Sequence, residues 1–106
     1  MRVGNLVFMS GQIALDPASG EMVQDSFAAE TRRVFDNLAA VATAAGGGLA
    51  QIVKLNLYLT DLAHFAAVNE IMAEYFQAPF PARAAVGVAS LPRGARVEAE
   101  AVLALD

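Results

Sequence analysis

Cysteine and tryptophan are absent from this 106-residue chain, and histidine occurs once, as His64. Without cysteine there can be no disulfide, thiol nucleophile or iron–sulfur ligation, and a lone histidine excludes a multi-histidine metal site. Charge is sparse, at 17% of residues. Basic residues are the scarcer kind, seven against eleven acidic, which leaves a net charge of −4. That deficit, with a pI near 4.8 and no cluster of Lys or Arg, argues against phosphate-backbone binding as the main role. The charges are also evenly spread, three basic and five acidic over residues 1–53 and four and six over 54–106. Long apolar runs are missing too. The longest charge-free stretch, Asn37–Val53, is broken by Gly46, Gly47 and Gly48 and falls short of the ~20 apolar residues of a spanning helix. Gly4-Asn5 sets a turn signal where a secretory segment requires an unbroken apolar core, so no targeting segment is expected there.

What the chain has in excess is apolar side chains, 57% of all residues. A monomer of this mass exposes roughly 5,700 Å² against about 16,000 Å² unfolded, so it buries only about two-thirds of its surface. So small a core does not easily hide that composition, and self-association of a single domain over residues 1–106 is the expected outlet.

Asn5–Leu15 reads as a strand, ended by Asp16-Pro17 and Ser19-Gly20. With Asp25 as N-cap, apolar positions at Phe27, Thr31, Val34, Phe35, Leu38, Val41, Ala42 and Ala45 predict an amphipathic helix, with Glu30, Arg33, Asp36 and Asn37 off its buried stripe. The triple glycine closes that helix and, because it follows a helix rather than opening one, is no phosphate cradle. Ile52–Leu59 alternates, with Leu55, Leu57 and Leu59 on one face and Lys54, Asn56 and Tyr58 on the other. Thr60-Asp61 caps a second helix whose stripe is Phe65, Val68, Met72, Tyr75 and Phe76, and Pro79 stops it. Arg83–Ser90 and Arg96–Leu105 read as two strands of a hairpin turning at Leu91-Pro92-Arg93-Gly94. The fold class is α+β: a sheet with two helices packed on one face. In that hairpin Val86, Val88, Val97, Ala99, Ala101 and Leu103 are expected toward the helices. Arg83, Ala85, Gly87, Ala89, Glu98 and Glu100 would then line the opposite face. Small side chains at alternate positions of that face allow a ligand or another subunit to come close.

Four separated segments agree in order and spacing with one family. They are Gly4-Asn5-Leu6-Val7-Phe8-Met9-Ser10-Gly11-Gln12-Ile13, Val68-Asn69-Glu70, Phe80-Pro81-Ala82-Arg83-Ala84-Ala85 and Leu91-Pro92-Arg93-Gly94-Ala95-Arg96-Val97-Glu98-Ala99-Glu100-Ala101. The chain resembles the Rid family of reactive intermediate deaminases, also called YjgF-like or endoribonuclease L-PSP-like. The resemblance implies a chorismate-mutase-like fold and a homotrimer with a central β-barrel, helices outside and ligand clefts between subunits, and the cytoplasm is the default compartment. It also implies hydrolysis of 2-imino acids and enamines, such as 2-aminoacrylate, to 2-oxo acids and ammonia without metal or organic cofactor, protecting pyridoxal-phosphate enzymes. Carried over by position, Arg83 binds the substrate carboxylate and Glu98 activates water. Ser10, Gly11 and the backbone near Ala85 supply hydrogen bonds, and Phe65 lines the cleft. A guanidinium suits the first task because it grips a carboxylate through two parallel N–H bonds. A carboxylate near the imine carbon suits the second because it can take a proton from water.

Each residue also has a plainer reading. Arg83 could be an ion-paired surface residue, Glu98 and Glu100 one polar face of a strand, and Phe65 core. Ser10 could satisfy a turn, Asn69 hold a neighbouring loop, and His64 sit on a helix surface. Two departures from the family pattern stand out: the N-terminal strand with its Gly-Pro-Tyr stretch has no counterpart ahead of Gly4, and Gly87 replaces a longer polar residue, opening space. The competing functions are a non-catalytic trimeric sensor of small carboxylates and a ribonuclease or translation inhibitor, the latter disfavoured by the acidic pI. In the expected hairpin Arg83 and Glu98 lie about six residues, or on the order of 20 Å, apart, so that if both are catalytic Arg83 of one subunit works with Glu98 of its neighbour.

Overall fold

The computed structural model describes residues 1–105. Its strands are β1 (Arg2–Val3), β2 (Leu6–Gln12), β3 (Ile52–Leu59), β4 (Ala82–Gly87) and β5 (Val97–Ala104), with helices α1 (Phe27–Ala44) and α2 (Phe65–Tyr75). The five strands form one sheet in the order β1-β2-β5-β3-β4. Both helices cover one face, as their stripes require: Val34, Phe35, Leu38 and Ala42 of α1 and Val68 of α2 are fully buried against Leu55, Leu57, Leu59, Val97, Ala99 and Leu103. Tyr75 ties the helices together by donating to Asp36 Oδ1 at 2.8 Å. Burial and that bond push its phenol up to about 12.

Several local expectations are corrected. Ser26, not Asp25, caps α1, accepting the Ala29 N–H at 3.0 Å. Glu30 is not on the solvent face but fully buried, because Arg96 reaches in to pair with it at 2.6 Å. The first strand stops at Gln12 rather than Leu15: Gln12 still pairs with Ala99 beyond a register shift after Met9, and Leu15 pairs instead with Met22 in an isolated bridge. Arg2–Val3 adds a short strand that pairs with β2. The glycines close α1 as expected: Gly46 takes a φ of +95°, and the Gly46 and Gly47 N–H groups return to Thr43 and Ala42.

The larger correction concerns the expected hairpin. β4 and β5 are not neighbours, because β3 lies between them, antiparallel to β5 and parallel to β4. The β3–α2–β4 segment is a crossover connection, which a parallel pair needs. This pairing also reverses the expected faces of β4. Arg83, Ala85 and Gly87 stand in register with Leu55, Leu57 and Leu59 on the helix side. Val86 stands with Tyr58 on the other side, 45% exposed.

Candidate active site

The predicted site residues fall into two clusters on opposite faces of the sheet. Arg83 opens the first, at the β4 edge under α2. Its Nη1 donates to Asn69 Oδ1 and lies 3.5 Å from Met72 Sδ. Its guanidinium carbon stands 5.3 Å from the Phe65 ring centroid. Asn69, Phe65 and Met72 all come from α2, so one helix face fixes the arginine. Asn69 therefore holds Arg83 rather than a loop. A cleft of about 450 Å³ opens beside it, lined by Asn69, Met72, Ala73, Phe80, Pro81 and Arg83. No carboxylate pairs with Arg83 among the described residues, so its remaining N–H groups are available for a ligand.

Ala85 follows on the same edge. The Val88 N–H donates to the Leu59 carbonyl at 2.8 Å, so the alternating peptide groups of Val86 and Ala84 also turn toward β3. Those of Arg83, Ala85 and Gly87 then point away from the sheet, where β4 has no neighbouring strand. An arginine and an unpaired backbone N–H two residues on offer donors of the kind a carboxylate accepts. Gly87 does not open space here: a Cβ on it would stand 3.2 Å from Leu62 Cγ.

The second cluster lies on the face away from the helices. Ser10 and Gly11 form the irregular part of β2, and the Glu98 side chain lies over the Gly11 backbone. A Cβ at Gly11 would meet Glu98 Oε2 at 2.0 Å, so only glycine leaves room for that carboxylate. Glu100, next on the same face, is already engaged: Tyr58 Oη donates to its Oε1 at 2.5 Å and Asn56 Nδ2 at 3.2 Å. That bond to Glu100, with burial, raises the Tyr58 phenol above its ordinary value. Glu98 has no hydrogen-bond donor among the described residues. Of the two, Glu98 is the carboxylate with unused lone pairs.

Arg83 and Glu98 do not meet within one chain. They lie on opposite faces, with β3 between their strands and three register positions between Leu55↔Ala101 and Tyr58↔Glu98. Two strand spacings and three residues give about 14 Å between their backbones. The hairpin estimate was therefore too long and its register wrong, but the separation stands.

His64 is half-buried rather than freely exposed. Its ring stacks on Phe27 with centroids 4.0 Å apart, and its Nδ1 is buried without a partner. Among the described residues no group of three or more His, Asp or Glu side chains is placed to hold a metal ion, and no helix is long and apolar enough to cross a membrane. The sequence reading gave Asn69 a hydrogen-bonding role but the wrong partner: it orients Arg83 rather than a neighbouring loop.

The family model described as endoribonuclease L-PSP matches residues 1–105. A 2-iminobutanoate/2-iminopropanoate deaminase of Dermatophagoides farinae is 42% identical over 106 residues, all of this chain and 83% of its own length. Protein DfrA of Myxococcus xanthus is 48% identical over 99 residues, 93% of this chain and 76% of its own. Among solved structures, RidA of an Antarctic Psychrobacter superposes with a TM-score of 0.95 at 46% identity, over 99% of this chain and 85% of its own.

Proposed function

The chain belongs to the endoribonuclease L-PSP family, and on that premise we propose that it hydrolyses 2-imino acids and their enamine tautomers, including 2-aminoacrylate, 2-iminopropanoate and 2-iminobutanoate, to 2-oxo acids and ammonia. A relative bearing the deaminase name, 42% identical across the whole chain, supports the reaction class. The observation that carries the site assignment is Arg83, oriented by Asn69 and Phe65 yet paired with no carboxylate. In this reading Arg83 and the Ala85 N–H bind the substrate carboxylate. Glu98 takes a proton from water as the oxygen adds to the imine carbon. Glu98 returns that proton to the nitrogen, and the resulting carbinolamine expels ammonia as its hydroxyl proton passes to the leaving nitrogen and the carbonyl forms. Ser10 and Gly11 complete the water side, and Phe65 backs the guanidinium.

Since Arg83 and Glu98 cannot share a small substrate within one chain, the reading requires a second copy. We place the site between subunits of a cytoplasmic homotrimer whose central barrel is built from the uncovered sheet faces. Phe8 and Val86, 46% and 45% exposed on that face, support such burial. The test is ammonia or 2-oxo acid release while a dehydratase generates 2-aminoacrylate in the presence of this protein. Faster release than in free solution is expected. An unchanged rate would refute the enzyme reading and leave a binder of small carboxylates.

A further inference from the structure

Glu30 is the most deeply buried charged residue outside either cluster: its exposure is zero, one turn into α1. All its contacts converge on the start of β5. Oε2 accepts the Arg96 backbone N–H at 2.8 Å, and Oε1 accepts Arg96 Nε–H at 2.6 Å. Gln24 Nε2 reaches the same carboxylate at 3.4 Å and donates to the Gly94 carbonyl at 3.0 Å. On the other side of the peptide chain, the Arg96 carbonyl accepts the Thr60 N–H at 3.2 Å. Arg96 is therefore clamped by helix α1 on one side and by the end of β3 on the other.

This clamp stands at a junction that needs one. Residues 89–94 are exposed except for the half-buried Leu91, and Arg93 adopts a φ of +58°. Beyond the clamp the chain enters the ladder at Val97, and Glu98 is the next residue, in register with Tyr58. A strand that starts from a loose loop frays at its first residues, and here Glu98 is one of them. A buried carboxylate that accepts both a backbone and a side-chain N–H of one residue fixes that residue's position and direction together.

We infer that Glu30 is a positioning residue for Glu98: through Arg96 it holds the first turn of α1 to the start of β5 and so keeps the Glu98 carboxylate over Gly11. The inference rests on the proposed role of Glu98 in water activation, but its structural half does not require it. Glu30→Gln preserves size and one acceptor oxygen while removing the second acceptor and the charge. With 2-aminoacrylate as substrate, kcat is expected to fall by between about 10- and 100-fold, the loss typical of a displaced catalytic group. KM should stay within about twofold, because the Arg83 cleft is untouched. Gln24→Ala, which removes only the exposed tether, should move kcat in the same direction by less. An unchanged kcat in a folded variant would overturn the inference. A crystal structure of Glu30→Gln supplies the second readout: Glu98 is expected to leave Gly11, and a carboxylate found in its original place refutes the inference even if the wild type releases no ammonia.

Discussion

Arg83 owes its direction to a neutral partner. An acidic residue at position 69 would neutralise the guanidinium and compete with a substrate carboxylate. An asparagine oxygen fixes one N–H and leaves the positive charge and the other donors available. Phe65 adds a flat support behind the guanidinium without consuming a donor. Planarity is what both contacts exploit, and lysine cannot reproduce it. Arg83→Lys is therefore expected to lower kcat/KM by roughly 10- to 100-fold, the equivalent of about one charge-assisted hydrogen bond. Steady-state kinetics on the variant check this, and near-normal turnover would remove Arg83 from the carboxylate-binding role. The Glu30–Arg96 pair illustrates the opposite design, a charge neutralised on purpose, its carboxylate fully buried and its guanidinium 36% exposed. Removing one partner of a fully buried pair typically destabilises by about 3–5 kcal/mol. Glu30→Gln leaves a neutral amide and a guanidinium that water reaches, and is expected to fall below that range.

At the scale of elements, the β2 irregularity governs the water side of the site. Gly11→Ala introduces a methyl where Glu98 Oε2 lies, and a carboxylate at the end of a flexible side chain moves more readily than the backbone. Expected are a folded protein with its melting temperature nearly unchanged and a large loss of kcat, measured by thermal unfolding and ammonia release on one sample. An unaltered kcat would show that Glu98 need not sit where it does. The irregularity itself was not legible, since Ser10-Gly11 looks locally like any polar break in a strand. Elements with strong periodicity were legible: the α1 and α2 stripes and the alternation of Leu55, Leu57 and Leu59 all lie where the pattern puts them. The failure came at β4, whose Ala82-Arg83-Ala84-Ala85-Val86-Gly87 holds no hydrophobic alternation to set its face. Nearness in sequence to β5 then suggested a hairpin, while the real partner, β3, is reached only through α2. A parallel pairing leaves no turn signal to read. Asp25 and Ser26 are both good caps, and only geometry chooses between them.

For the whole molecule, the composition and the structure state the same surplus in different terms. The chain exposes 5682 Å², close to the roughly 5,700 Å² expected for a compact monomer of its mass. The surplus is one of quality rather than area: Phe8 and Val86 on the uncovered sheet face, and Leu62 and Phe80 beside the unpaired β4 edge, are all exposed. One face and one edge are thus left unfinished, and the two halves of the proposed site lie on them, Glu98 on the face and Arg83 at the edge. A closed ring in which each copy sets its edge against the next copy's face would cover both and join Arg83 of one subunit to Glu98 of its neighbour. That arrangement has an arithmetic consequence. Arg83→Ala and Glu98→Ala are each expected to be inactive alone, since every site lacks one residue. Unfolded together in equal amounts and refolded into random trimers, they should regenerate intact sites wherever a subunit with Arg83 is followed by one with Glu98, about a quarter of all sites. Recovered activity near that fraction, with mixed trimers verified by mass spectrometry, is the expected result. Verified mixed trimers without activity would exclude a site shared between subunits and, since the two backbones lie about 14 Å apart on opposite faces within one chain, would also exclude that Arg83 and Glu98 act on one substrate.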